Sequence, residues 1–306
     1  MKILLLGYSN IAKRRIIKVF LKKNISFCVA SKTFDKKIPG TYAQFGSYKE
    51  GLEKSGANIV YISLPNSLHY YWAIQSLKAG YHVIVDKPIC EKNNELRKLI
   101  FFAKKNKKLL AEANFFNYHR QIQVAKMQIK NLKNIENIHV NFVIPYPNKN
   151  SILISKKLAG GALMDMGPYA AAISRIFSKT KVISKKVFFK KNKFNLITEF
   201  SLFCEYTNMT YTALFKFGGE YHNELFLHTK NKSIKLERVF SPPSDKDLLL
   251  TIKNNNHIKK IKIKKDDAYE NFFNEVLKKI RSGDFLYYLD QVQKDLNFRN
   301  KILKDK

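Results

Sequence analysis

Five short apolar runs punctuate the first 111 residues: Ile3-Leu4-Leu5-Leu6, Phe27-Cys28-Val29-Ala30, Ile59-Val60-Tyr61-Ile62, His82-Val83-Ile84-Val85 and Leu109-Leu110-Ala111. None shows the polar alternation of a strand with one wet face. A strand that is apolar on both sides must be covered on both sides, as happens in a parallel sheet flanked by helices. The intervening segments supply those helices. One carries Tyr71, Ile74 and Leu77 and stops at Gly80; another opens at Asn93 and carries Leu96, Leu99, Ile100 and Ala103. Residues 1–119 are therefore expected to form a doubly wound α/β domain.

From about residue 120 the texture changes. A helical segment around 122–129 leads to an apolar run at 138–144, then to Gly160-Gly161-Ala162-Leu163-Met164-Asp165-Met166-Gly167-Pro168-Tyr169, then to strand patterns in series. In one of these Met209, Tyr211, Ala213, Phe215 and Phe217 alternate with Asn208, Thr210, Thr212 and Lys216, which is the mark of a sheet with one buried face. Two closing helices are expected, one with Phe272, Val276 and Ile280, the other with Val292 and Leu296, separated at Gly283. Residues 120–306 thus read as a second, α+β domain with a mainly antiparallel sheet. A chain of 306 residues, 45% hydrophobic, can bury two such cores.

Composition narrows the function classes. No stretch approaches the roughly 20 apolar residues of a membrane span, and Lys13-Arg14-Arg15 follows the first apolar run too closely for a secretory leader, so a cytoplasmic protein is expected. Three cysteines with no Cys-x-x-Cys pair offer no metal or redox site and read as reduced thiols. Fifty-six basic residues against 24 acidic ones give a formal charge of +32, which suits an anionic partner. The lysines are spread along the whole chain, as in Lys104-Lys105-Asn106-Lys107-Lys108, which argues against a focused nucleic-acid surface.

Gly7-Tyr8-Ser9-Asn10-Ile11-Ala12 joins the first strand to the first helix, where a dinucleotide pyrophosphate would meet backbone N–H groups and a positive helix end. The fingerprint Gly-x-Gly-x-x-Gly or Ala is met with Gly, Ser and Ala at its three positions. After the second strand, where an acidic residue would hold the ribose 2′-hydroxyl of NAD, stand Ser31 and Lys32. A hydroxyl and a cation suit a 2′-phosphate, so NADP(H) is preferred and NAD(H) stays possible. Leu64-Pro65-Asn66 with His69 follows the Ile59–Ile62 run, at the strand end where open α/β sheets place ligands; Asn66 and His69 either border that ligand or cap the next helix. Lys87, in Asp86-Lys87-Pro88, lies at the same end and can hold a cofactor ribose or a substrate oxygen, or pair with Asp86 or Glu91. Asp165 and Tyr169, four residues apart, share a face if their segment is helical, and Pro168 between them would kink that helix or begin it.

In this order and spacing, Gly7–Ala12, Leu64-Pro65-Asn66 with His69, Asp86-Lys87-Pro88 and Gly160–Tyr169 resemble the Gfo/Idh/MocA oxidoreductases, over nearly the whole chain. The resemblance implies an N-terminal Rossmann domain and a C-terminal domain whose open-faced sheet often serves oligomerisation. It also implies NAD(P)-linked oxidation or reduction of sugars, polyols or nucleotide-linked sugars. Lys87 matches the lysine of the family's Glu-Lys-Pro motif, with Asp86 for the glutamate. Asp165 matches the aspartate of Gly-Gly-x-x-x-Asp-x-Gly-x-His, and Tyr169 falls at its histidine, as in the tyrosine-type members such as glucose–fructose oxidoreductase and nucleotide-sugar 3-ketoreductases. Lys87, Asp165 and Tyr169 are the implied catalytic residues, and Tyr118 lies in a region that borders the nicotinamide in this family. Three alternatives stay open: an NAD-dependent sugar or polyol dehydrogenase of the same family, a basic nucleic-acid-binding protein, and a cofactor sensor without turnover. Segment Arg238-Val239-Phe240-Ser241-Pro242-Pro243 resembles a stretch of the sugar-biosynthetic members and has no role on sequence grounds.

Overall fold

The computed structural model of the chain describes residues 1–34, 37–255 and 257–303, so the last three residues of the expected second domain lie outside the described residues. The chain divides into two compact units, Met1–Asn114 with Phe272–Leu296, and Phe115–Asn271 with the residues from Asn297 onward.

In the first unit the five apolar runs become strands of one sheet: β1 (Lys2–Leu6), β2 (Ser26–Ala30), β4 (Ile59–Ile62), β5 (His82–Asp86) and β6 (Leu110–Ala113), joined at one edge by β3 (Thr41–Phe45). The order is β3-β2-β1-β4-β5-β6 and every pairing is parallel. Leu4, Val60 and Val83 are wholly buried, as strands with two covered faces require. The covering helices are α1 (Ile17–Lys22), entered through a π turn at Ala12–Ile16, α2 (Tyr48–Lys54), α3 (Asn66–Lys78) and α4 (Asn93–Lys105). In α3 the buried stripe is Ala73, Ile74 and Leu77, whereas Tyr71 is exposed and lies edge-on to Trp72. Neither β3 nor α2 is marked in the sequence by an apolar run. β3 is a short, half-exposed edge strand, and α2 is started by Ser47, whose hydroxyl accepts from the Glu50 N–H at 3.1 Å. The segment Phe272–Leu296 adds Phe273, whose ring packs against Phe20 and Tyr61.

His82, buried at the start of β5, accepts a hydrogen bond from the Leu109 N–H through Nδ1 at 3.0 Å. Burial, reinforced by the Lys108 charge, lowers its pKa to about 4. The unfolded chain, with an ordinary histidine near 6.5, binds more protons between those values. Stability should therefore be full above about pH 6.5 and fall by roughly 3 kcal/mol as the pH drops towards about 4. His82→Asn keeps an acceptor for Leu109 and removes the proton site, so urea unfolding of this variant at about pH 7 and about pH 4.5 should show a flattened dependence.

The second unit holds an eight-stranded sheet: β7 (Ile135–Ile144), β8 (Val182–Lys191), β9 (Ile197–Tyr206), β10 (Thr210–Phe217), β11 (His222–Thr229), β12 (Lys232–Glu237), β13 (Leu248–Asn254) and β14 (His257–Ile263), in the order β14-β13-β12-β11-β7-β10-β9-β8. The alternation expected of β10 is present: Tyr211, Ala213, Phe215 and Phe217 are buried between half-exposed Thr210, Thr212 and Lys216. The sheet is mainly antiparallel, with one parallel pairing between β7 and β10 at its centre. Both edge strands are rich in lysine, Lys185, Lys186, Lys190 and Lys191 on β8 and Lys259, Lys260 and Lys262 on β14, which discourages edge-to-edge pairing. Helix α5 (Arg120–Ile129) precedes β7, and α6 (Ala162–Phe177) packs on the buried face; Tyr211 donates to the Ala170 carbonyl, and Ser174 and Tyr206 share a hydrogen bond of 2.6 Å. The closing helices α7 (Ala268–Arg281) and α8 (Leu289–Leu303) form as expected, with Gly283 in the left-handed region between them.

Candidate active site

In the first unit the expected site residues gather at the carboxyl ends of β1, β4 and β5. Gly7 follows β1 with φ +95°, and a Cβ there would come within 2.3 Å of the Ser63 carbonyl oxygen. Its N–H donates to Ala30, and the Ser63 N–H donates to Leu6, so the turn is pinned between the ends of β1, β2 and β4. This is where the strand order reverses, the place at which doubly wound sheets take a dinucleotide. The tight cradle without a Cβ fits the close approach of a pyrophosphate. Tyr8 is half-buried beneath the Lys13 ammonium, which lies 4.4 Å from its ring centre, while Asn10 and Ile11 are exposed and Ala12 is buried.

At the end of β2 the Ser31 hydroxyl closes its own turn, donating to the Thr33 carbonyl at 3.0 Å, and Lys32 beside it is exposed. After β4, Leu64 is buried, Pro65 is the N-cap of α3 and Asn66 is its first residue; no side chain caps that helix end. His69 does not cap it either. Its ring is 1% exposed, with Nε2 2.8 Å from the Leu64 carbonyl and Nδ1 2.7 Å from the Pro88 carbonyl, so it ties the β4 loop to the β5 loop.

The Asp86-Lys87-Pro88 turn, with a cis Lys87–Pro88 bond, is fastened on every side. Asp86 accepts from Tyr61 through one oxygen and from Ser63, at 2.7 Å, through the other. Burial raises its pKa, and the hydrogen bonds of Tyr61 and Ser63, then the charges of His69 and Lys87, work against that rise. Three residues after Asp86, the Ile89 N–H donates to the buried Glu112 carboxylate at 2.7 Å. Lys87 itself is half-buried.

In the second unit both glycines of the Gly160-Gly161 pair are dictated by geometry. A Cβ on Gly160 would lie 2.5 Å from the Ile152 carbonyl oxygen, and Gly161 has φ +105°. They lead straight into α6, whose first turn closes with the Asp165 N–H donating to the Gly161 carbonyl at 3.0 Å. The helix neither begins at Pro168 nor ends there, so Asp165 and Tyr169 stand one turn apart on one face, both half-buried. Aromatic rings pack against Tyr169: Phe240 stacks on it at 4.9 Å, and Phe116 and Phe142 meet it edge-on, each at 5.7 Å.

Phe240 gives the Arg238–Pro243 segment the role that its sequence left open. Its N–H donates to buried Asn223, which also donates to Tyr221 and Ser241, and Arg238 sits in the left-handed region with its guanidinium 5.1 Å from the Tyr221 ring centre. Tyr118 ends a short turn whose last carbonyl accepts from Asn271 at 3.0 Å; the following His119 is buried, and burial lowers its pKa despite nearby Asp266. The supporting residues that sequence reading missed are Tyr61, Ser63 and Glu112 behind Lys87, and Phe116, Phe142, Asn223 and Phe240 around Tyr169. Only the last had any signal, as part of a segment with a family resemblance.

A parallel sheet carrying a glycine-cradled turn at its switch point is built to take a dinucleotide, and comparison with known proteins agrees. Residues 1–114 match the model of the Gfo/Idh/MocA oxidoreductase family, described as having a NAD-binding Rossmann fold. The dTDP-3,4-didehydro-2,6-dideoxy-alpha-D-glucose 3-reductase of Actinomadura kijaniata is 25% identical over 291 residues, 91% of this chain and 87% of that protein. D-xylose 1-dehydrogenase (NADP(+)) 2 of Haloferax volcanii is 30% identical over 46% of this chain and 44% of its own. The crystal structure of KijD10, a 3-ketoreductase from Actinomadura kijaniata in complex with NADP and TDP-benzene, superposes with a TM-score of 0.91, covering 99% of this chain and 97% of that one at 20% identity. The likeness to the Gfo/Idh/MocA oxidoreductases is thus carried by the match of residues 1–114 to the family model and, across most of the chain, by similarity to the Actinomadura reductase.

Proposed function

We propose that the chain is an NADP(H)-dependent ketoreductase acting on a nucleotide-linked sugar. The observation that carries this reading is the Tyr169 phenol, packed against aromatic rings one helical turn from Asp165. A phenol ordinarily titrates near pH 10 and keeps its proton at neutral pH, which suits an acid towards a ketone oxygen better than a base towards an alcohol. Bound NADPH supplies a hydride to the carbonyl carbon. Tyr169 gives its hydroxyl proton to the carbonyl oxygen and Asp165 accepts hydrogen bonds from sugar hydroxyls, while the Lys87 ammonium, at the end of β5, holds an oxygen of the cofactor ribose. The relatives named above as a dTDP-sugar 3-reductase and an NADP-linked xylose dehydrogenase support this class of substrate and cofactor.

Gly7 to Ala12, Leu64 to Asn66 and Asp86-Lys87 bind the cofactor, with Ser31 and Lys32 at its 2′-phosphate. Lys32→Ala should raise the KM for NADPH about tenfold and leave that for NADH within about twofold; equal effects on both would remove Lys32 from phosphate recognition. The second domain binds the sugar and pairs subunits through its sheet, on which Phe188, Phe203 and Leu249 remain exposed. With NADPH and a nucleotide sugar as reactants, the enzyme works in the cytoplasm.

The deciding measurement is NADPH consumption with a dTDP-linked 3-keto sugar. Turnover there, exceeding NAD-linked oxidation of free sugars and polyols, is the expected result. Turnover confined to NAD and free sugars would replace this reading with a catabolic dehydrogenase.

A further inference from the structure

Two residues of the first unit depart from the family pattern. Ser9 takes the place of the fingerprint's middle glycine, and Asp86 is one methylene shorter than the usual glutamate. The structure joins them. Ser9 Oγ lies 2.7 Å from Ser63 Oγ, Ser63 Oγ donates to Asp86 Oδ2 at 2.7 Å, and Ser9 Oγ also accepts from the Ala12 N–H at 3.1 Å. Each hydroxyl has one hydrogen to give. Ser63 spends its hydrogen on the carboxylate, so Ser9 must donate to Ser63, and the Ala12 amide completes the series at the other end. With Asp86 ionised the direction is thus fixed throughout, from the first turn of the helix through two hydroxyls to the carboxylate that precedes Lys87. The second Asp86 oxygen is held by Tyr61, so neither oxygen is left to pull the turn elsewhere.

We propose that Ser9, Ser63 and Asp86 are positioning residues which couple the dinucleotide phosphate turn to the Lys87 turn, so that a disturbance at either is felt at the other. This rests on the cofactor reading above. Hydrogen bonds in series away from bulk water polarise one another and act as a unit; Ser63 and Tyr61 are 2% and 0% exposed, and Ser9 and Asp86 at the ends of the series are half-buried. A glycine at position 9 would restore the fingerprint and break the series at its first link. A merely local role for Ser9, capping the helix, predicts the opposite, because glycine is nearly as good as serine at an N-cap.

The test uses full-length Ser9→Gly, Ser9→Thr, Ser63→Ala, Asp86→Asn and the double variant Ser9→Gly/Asp86→Asn, each checked for folding by thermal unfolding. NADPH affinity is read by fluorescence titration, and kcat and KM are measured on the keto sugar. Ser9→Gly and Ser63→Ala should each weaken NADPH binding and lower kcat by about fivefold, while Ser9→Thr retains both, and the double variant should be no worse than the worse single one. If Ser9→Gly leaves both constants within about twofold, or the double variant shows the product of the single effects, the coupling is overturned while the cofactor reading stands. Should Ser9→Gly fail to fold, Ser63→Ala alone decides, since an unchanged kcat and affinity there rejects the coupling. A wild-type protein that binds no NADPH overturns the cofactor reading and the proposal together.

Discussion

Tyr169→Phe should lower kcat on a keto sugar by about a hundredfold to ten-thousandfold, the range that a positioned general acid contributes. The substitution removes one oxygen and keeps the ring, so the stacking with Phe240 and the edge contacts with Phe116 and Phe142 remain. NADPH affinity should stay within about twofold, and the unfolding midpoint should hardly move. Steady-state kinetics with NADPH and the keto sugar, together with a binding titration, give all three quantities. A kcat reduced less than about threefold would take the proton from another group and leave the phenol with packing alone.

Gly7→Ala should be the most damaging single change to the cofactor half. The new methyl would meet the Ser63 carbonyl oxygen at 2.3 Å and Leu64 Cδ2 at 2.7 Å, on a residue whose φ of +95° already disfavours any side chain. Leu64 can shift; Ser63 cannot do so cheaply, because its N–H is bonded to Leu6 and its hydroxyl to Asp86. Strain and overpacking together point to a loss of about 2–4 kcal/mol in unfolding free energy and to the disappearance of measurable NADPH binding. Urea unfolding and fluorescence titration read the two effects separately. Wild-type stability with intact binding would mean that the β1 turn relaxes without cost and is no cradle.

The first unit was legible in the sequence because each parallel strand is buried on both faces and so writes an uninterrupted apolar run, as Ile59–Ile62 does. Strands β3 and β8 wrote no such run. Thr41–Phe45 is a half-exposed edge, and Val182–Lys191 carries four lysines on the other sheet's edge; each only partly buries its apolar side chains, so neither writes an uninterrupted run. The parallel pairing of β7 with β10 joins residues about 70 positions apart, such as Asn137 and Thr210, and no local pattern reports a partner at that distance. Within the site, Gly160, Gly161, Asp165 and Tyr169 could be picked out because spacing alone puts a phenol one turn after a carboxylate. The part of His69 could not. A histidine that bridges two backbone carbonyls looks, in sequence, the same as one that caps a helix.

The central parallel pair also governs when the enzyme becomes an enzyme. Two neighbouring strands running the same way demand a crossover, and here that crossover contains α6 and with it Tyr169. Pairings between residues so far apart in sequence tend to form slowly, because loop-closure entropy is paid before their contacts are made. The proposed acid, Tyr169, is thus mounted on a connection that is closed only when β10 has paired with β7, across about 70 residues of chain.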